Sequence, residues 1–304
     1  MKLIHISDLH LNLEAHDDNV ERLLSFFAHL KLFQPDHLII SGDLSENGDE
    51  EELLLLREIM ERTGFYSAER ATVVIGNHDI FGGVHRAEDI LTFPERCQNT
   101  DYDGKVQRFH EIFSDLFAGC HFPLEGQPYP FIKQVGSIAI AGVNSIAPYS
   151  AIKNMFASRG KVSDAQYEAL YEGLLHAMDL VDHLFVAVHH HFNKIETGEQ
   201  VWLKSLWSRI EKQTMKLKKK KRLMQLFQVF CVKAVLHGHH HVMETYERQG
   251  VNYINSGASV KNTEKHTFFY HLLELTNTML TTTQLQFTSA RKRKFSGLLD
   301  FTTK

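Results

Sequence analysis

The sequence predicts an α/β fold built on a parallel sheet, with a polar site gathered at the strand ends. Three observations predict it. Early in the chain, short apolar runs alternate with segments of helical periodicity, which implies right-handed crossovers and a parallel core. Five short apolar runs are each closely followed by a polar motif: Asp8-Leu9-His10, Gly42-Asp43, Gly76-Asn77-His78-Asp79, His189-His190-His191 and Gly238-His239-His240-His241. Leu9 and the glycines aside, every side chain in these motifs offers an oxygen or nitrogen that can bind a metal ion. In open α/β sheets ligands bind beyond the carboxyl ends of the strands, where all of these motifs are predicted to fall.

Residues 3–7 read as the first strand. A helix follows from about Asp18, with Val20, Leu23, Leu24, Phe27 and Leu30 on one face, and Pro35 closes it. Residues 37–40 form a second strand ending at Gly42-Asp43. A leucine-faced helix covers 50–63, with Gly64 as its C-cap. Residues 72–75 make a third strand, ending at Gly76. Between 80 and 130 the pattern is less regular. Val106, Phe109, Ile112, Phe113, Leu116 and Phe117 suggest one helix, and the rest reads as a lid or side wall. Residues 131–135 and 137–143 pair around Gly136. Ser163 and Gln166 form a capping box that opens a helix to about Met178. Residues 184–188 lead into the His triplet, 201–230 read as helical, and 233–236 lead to Gly238. The alternating C-terminal stretch is assigned to a second sheet. The chain shows no repeat and no low-complexity linker, so residues 1–304 are expected to form a single domain with a lid or cap insertion around 80–130.

Composition limits the class. In 304 residues, 43% are hydrophobic and 21 are Phe, enough to bury a sizeable core. A net charge of -4 argues against a dedicated nucleic-acid module. The three cysteines, Cys97, Cys120 and Cys231, are odd in number and far apart, and read as reduced thiols. The start of the chain turns polar too soon for a signal peptide, and no apolar run nears the roughly 20 residues that span a bilayer. A cytoplasmic protein is expected, with no membrane partner. The 20 His are the oddity, and many of them fall in the motifs.

Order and spacing of the five motifs resemble the calcineurin-like metallophosphoesterase superfamily, whose members hydrolyse phosphate esters with a dinuclear metal site. Each motif alone is weak; five in the family's order, each at a predicted strand end, are specific. The resemblance spans residues 8–241 and implies a four-layer α/β/β/α sandwich of metallophosphoesterase type. It also implies two divalent ions, of Mn, Fe, Zn or Co, which mixed imidazole and carboxylate ligation suits without selecting one. Two such ions roughly 3.5–4 Å apart neutralise an anionic phosphate and make a bridging hydroxide available near neutral pH. By resemblance Asp43 bridges them. Asp8, His10 and His241 complete one site; Asn77, His239 and one His of the triplet complete the other. The family usually has His-His-Pro at the triplet, with the first His as ligand. Here His191 replaces the Pro, so His189 is favoured and His190 is the alternative. Ile75 stands where the family often has Pro. His78 is implied to act on the substrate, stabilising charge or protonating the leaving oxygen, with Asp79 orienting it.

The loop after the bridge reads Gly42-Asp43-Leu44-Ser45-Glu46-Asn47-Gly48. Protein phosphatases of the superfamily end it with Asp-Arg-Gly, and the Arg grips a phosphomonoester. This loop is closer to bacterial cyclic-nucleotide and glycerophosphodiester phosphodiesterases. A phosphodiesterase acting on a small phosphate ester is therefore expected. The alternatives are a phosphomonoesterase, a nuclease supported only by the basic run from Lys216 to Arg222, and a non-catalytic metal-binding scaffold. The basic run otherwise reads as a solvated helix face, as does Arg291-Lys292-Arg293-Lys294 in the tail. His5, His29 and His37 read as packing or surface residues, and His237 and His240 as pointing away from the metals.

Overall fold

The computed structural model describes residues 1–13, 18–84, 87–193, 215–257, 259 and 267–289. The first part of the chain runs β1 (Lys2–Ile6), α1 (Asp18–Lys31), β2 (His37–Ser41), α2 (Glu50–Thr63), β3 (Ala71–Val74), α3 (His78–Phe81), α4 (Ala87–Asn99) and α5 (Tyr102–Ile112), then a 3-10 turn at Ser114–Phe117. The hairpin β4 (Phe131–Val135) and β5 (Ile138–Val143) follows, then β6 (Gly160–Lys161), α6 (Asp164–Ala177), β7 (His183–Val188), β8 (Leu217–Lys218) and α7 (Lys220–Val229). The chain continues with β9 (Ala234–His237), β10 (Met243–Arg248), β11 (Val251–Ser256), β12 (Thr267–Leu275) and β13 (Leu280–Thr288).

The strands form two large sheets, in the orders β13-β12-β1-β2-β3 and β10-β11-β9-β7-β5-β4, and β6 pairs with β8. β1, β2 and β3 are mutually parallel, as are β5, β7, β9 and β11. Successive side chains of the second sheet join two cores in alternation. Phe185, Ala187 and Leu236 face one apolar core, which also holds Leu3, Ile39 and Phe26; Leu184, Val186 and Val235 face another, with Leu170 of α6 and Leu226 of α7. A sheet apolar on both faces must be covered on both, here by the first sheet and by helices. The result is the four-layer α/β/β/α arrangement that the resemblance implies.

Four local expectations are corrected. The helix expected through Phe117 stops at Ile112; the apolar spacing continues through a 3-10 turn, where the i, i+3 period persists. Half of the capping box forms: Ser163 Oγ accepts from Gln166 N at 3.1 Å, but the Gln166 amide bonds the backbone of Asn144 instead of closing the box. The C-terminal strands divide between the sheets. β10 and β11 join the second, whereas β12 pairs antiparallel with β1 in the first, Leu3 opposite Leu273. Without β12, the backbone of β1 would be left as an unpaired edge beside the core. Last, the basic run is not one helix face: Leu217–Lys218 form β8 and α7 starts at Lys220, while Lys219 and Arg222 reach Asp164 at 3.2 and 2.8 Å, Arg222 also reaches Glu168, and its guanidinium stacks on Tyr167. The part of the expected 201–230 helix before residue 215 and the run Arg291-Lys292-Arg293-Lys294 lie outside the described residues.

Candidate metal centre

All five motifs leave strands at one end of the two sheets, and their side chains meet there. Beyond β1 and β2 the two segments stay side by side: Asp8 N and His10 N donate to the carbonyls of Gly42 and Asp43, both at 3.0 Å. After β9, His239 N donates to the Asp8 carboxylate at 3.0 Å. Asp8, His10, Asp43 and His239 all take positive φ, between 47° and 68°. Each such non-glycine conformation costs on the order of 1–3 kcal/mol, and such strain clusters at functional sites. Close approach requires two of the glycines. A Cβ on Gly76 would stand 2.1 Å from Asp43 N, and one on Gly238 1.8 Å from Ser7 Oγ.

The donors fall into two adjoining groups. In the first, His10 Nε2 is 3.1 Å from His241 Nε2 and 4.0 Å from Asp8 Oδ1, and His241 Nε2 is 3.5 Å from Asp8 Oδ1. In the second, His189 Nε2 is 3.1 Å from Asn77 Oδ1, 3.1 Å from His239 Nδ1 and 3.2 Å from Asp43 Oδ2. Asp43 lies between them, since the same Oδ2 is 3.9 Å from His10 Nε2. Each group converges tightly enough to hold an ion.

The chemistry of the donor set fits cations. His189 Nδ1 faces the Ser41 carbonyl at 2.9 Å and must donate to it, so the neutral ring directs a lone pair from Nε2 toward Asp43, Asn77 and His239. His10 Nδ1 faces Glu46 Oε2 at 2.7 Å, which likewise turns the Nε2 lone pair toward His241. Without metal, protons take over this role. Burial alone would raise the Asp43 pKa, but the facing His189, His78 and His10 hold it well below its ordinary value. Burial opposes protonation of His189, yet Asp43 lifts its pKa to about 9. Burial, joined by the charge of Asp43, raises Asp79 to about 7.

Of the triplet, His189 faces the donors. His190 turns away, bonding Ser145 Oγ through Nδ1 at 2.8 Å and the Ser158 carbonyl through Nε2 at 3.1 Å. His191 is buried with its ring 6.0 Å from that of His239. His237 is also buried, packed on Phe192. His5 and His37 are fully buried and hydrogen-bonded. His78 donates its backbone N–H to Asp43 Oδ1 at 2.8 Å, and its ring stands edge-on to His10. The side chains of His78 and His241 are 19% and 35% exposed, whereas those of His10, Asp43 and His189 are at most 2% exposed, so the centre opens toward solvent along His78 and His241.

The orienting contact expected of Asp79 falls instead to Glu46. Asp79 accepts from Ser45 N, Ser45 Oγ and Gly76 N at 2.8–3.0 Å, tying the ends of β2 and β3 together. His78 Nδ1 lies 3.2 Å from the Glu46 carbonyl and 3.6 Å from its carboxylate. Glu46 is thus a site residue that the motifs did not single out; its only signal was an acidic residue in the glycine-bounded loop after Asp43. Glu52 is another. Buried on α2, it accepts from the backbone of Glu46 and Asn47 and from the Asn47 amide, and so shapes that loop.

The family model for calcineurin-like phosphoesterases matches residues 1–243, and the chain belongs to that family, whose members are dinuclear metal enzymes. Solved structures agree in fold. A dimetal phosphatase from Danio rerio is 11% identical with a TM-score of 0.55, covering 95% of this chain and 99% of its own. A purple acid phosphatase from yellow lupin is 13% identical with a TM-score of 0.53, covering 90% of this chain and 49% of its own. A search of curated protein sequences gave no significant match. Among the described residues, no helix is long and apolar enough to cross a membrane.

Proposed function

We propose that this phosphoester hydrolase is a phosphodiesterase acting on a small phosphate ester. The metal-dependent part of the reading rests on the position of Asp43 Oδ2 between the two donor groups. Asp8, His10 and His241 would hold one divalent ion and Asn77, His189 and His239 the other, with Asp43 placed to serve both. When bound, the two ions withdraw charge from the phosphoryl group and lower the pKa of water. The protein's own residues do the rest. Asp43 receives the His78 backbone N–H and so fixes that residue over the centre. Nδ1 of His78 donates to the Glu46 carbonyl, and Nε2 is assigned to proton transfer to the leaving oxygen.

The choice of a diester rests on the loop after Asp43. A monoester dianion calls for a cation beyond the metals, and a diester monoanion does not. Asn47, where a monoester phosphatase carries Arg, turns its amide to Glu52 at 2.8 Å, and the Gly48 carbonyl is occupied by Lys105 Nζ at 2.6 Å. The nuclease alternative rests on the basic run alone, and two of its cations, Lys219 and Arg222, pair with Asp164 and Glu168 of α6. The test compares kcat/KM for bis(p-nitrophenyl) phosphate and p-nitrophenyl phosphate with the same metal and pH. Preference for the diester is expected, and preference for the monoester would overturn the subtype.

A further inference from the structure

We infer that Arg96, on α4 and outside the motifs, is a positioning residue for His78. This rests on the reading that His78 acts on substrate. Phe93 and Cys97, four apart on α4, are buried, and Arg96 lies at the rim of that packed face. Its guanidinium sits 5.1 Å over the Phe93 ring and donates from Nη2 to the Gly83 carbonyl at 2.6 Å. Stacking on a buried ring orients the planar fork, so little conformational freedom is lost when it engages the carbonyl.

Gly83 is the link to the centre. A Cβ built on it would stand 2.8 Å from His78 Cε1, 3.0 Å from His78 Nδ1 and 2.7 Å from Glu46 Oε1. Its backbone therefore forms a wall directly against the His78 ring. Its N–H donates to the Glu46 carbonyl at 2.8 Å, the same oxygen that receives His78 Nδ1. The next contact outward is close as well: a Cβ on Gly82 would meet the Asn47 carbonyl at 2.5 Å. Residues 82–83 thus lie backbone to backbone on the loop after Asp43. Glu46 fastens this wall from within, and Arg96 fastens it from without. Loss of the outer brace would let the wall recede and the His78 ring turn away from the place that Glu46 and Gly83 hold for it. Small misplacements of a reacting group cost roughly up to 100-fold in rate.

The experiment uses the full metal-loaded chain, with bis(p-nitrophenyl) phosphate as substrate. Arg96→Met, which keeps the stem and removes the donors, should lower kcat roughly 10- to 100-fold, leave KM nearly unchanged and retain the bound metal. Arg96→Lys, which restores one donor, should recover part of the loss. In a His78→Ala background, Arg96→Met should add no further loss, because the effect passes through His78. A wild-type kcat in Arg96→Met would overturn the inference. So would a further loss in the His78→Ala background, which would mark direct contact of Arg96 with substrate. An arm free of turnover separates this inference from the assigned function. In NMR spectra of the histidine side chains, the His78 signal, identified by its absence in His78→Ala, should move in Arg96→Met and move back in Arg96→Lys. An unmoved signal overturns the role of Arg96 whatever the substrate. A moved signal with full activity in His78→Ala keeps Arg96 as the brace and removes His78 from the chemistry.

Discussion

Glu46 Oε2 lies 2.7 Å from His10 Nδ1, on the ring whose other nitrogen faces His241. A carboxylate on the far nitrogen of a metal-binding imidazole fixes its tautomer and raises its basicity. Losing such a partner typically costs about 10- to 100-fold in metal affinity or activity. Glu46→Ala is therefore expected to weaken binding of the ion held by His10 by that factor, and to lower kcat as well because His78 loses a neighbour. Metal titration followed by calorimetry checks this; unchanged affinity would remove Glu46 from the centre.

The three triplet histidines should respond differently. His189→Ala removes the nitrogen nearest Asp43 and Asn77, so one of the two ions should be lost. His190→Ala breaks two hydrogen bonds to Ser145 and Ser158 and should cost stability while sparing metal content. Metal loss from His190→Ala, with His189→Ala harmless, would move the ligand by one residue.

His37 provides a pH signature away from the metals. Buried at the start of β2, it bonds the Glu69 carbonyl and Thr72 Oγ1 at 2.7 and 2.8 Å. Burial pushes its pKa from 6.5 down to about 3. Between those two values the unfolded chain binds a proton that the native state does not. Stability therefore falls as pH drops through this window, by at most about 1.4 kcal/mol per pH unit, and levels off below it. His37→Gln should be less stable than wild type at pH 7, and the gap should narrow at pH 5. Urea midpoints of the metal-free proteins at both pH values give the comparison, and a gap that widens would contradict it.

The parts of the fold legible in the sequence are those written locally. β1, β2 and β3 announce themselves as apolar runs ending in Asp or Gly, and Gly64 closes α2 with φ of 75° as its position predicts. What stayed hidden depends on distant partners. Alternation marks β12 as a strand, but only its pairing with β1, some 270 residues earlier, assigns it to the first sheet. The spacing of Phe109, Ile112, Phe113, Leu116 and Phe117 suits both a helix and the 3-10 turn that ends it. At the centre the motifs named the converging donors, because metal-binding side chains are chemically conspicuous. Glu46 escaped because its meaning lies in contacts with His10 and His78, each more than 30 residues away. Asp79 was given the wrong neighbour because adjacency in sequence to His78 does not bring its carboxylate to that ring.

The most direct test of a two-ion centre shared by Asp43 is the metal content of Asp43→Ala beside wild type, each saturated with Mn²⁺, dialysed and measured by mass spectrometry. Wild type should hold two ions per chain, and the variant should lose both or nearly both, with a lower unfolding temperature because bound metal stabilises the folded state by mass action. Two ions retained in Asp43→Ala would contradict the shared centre.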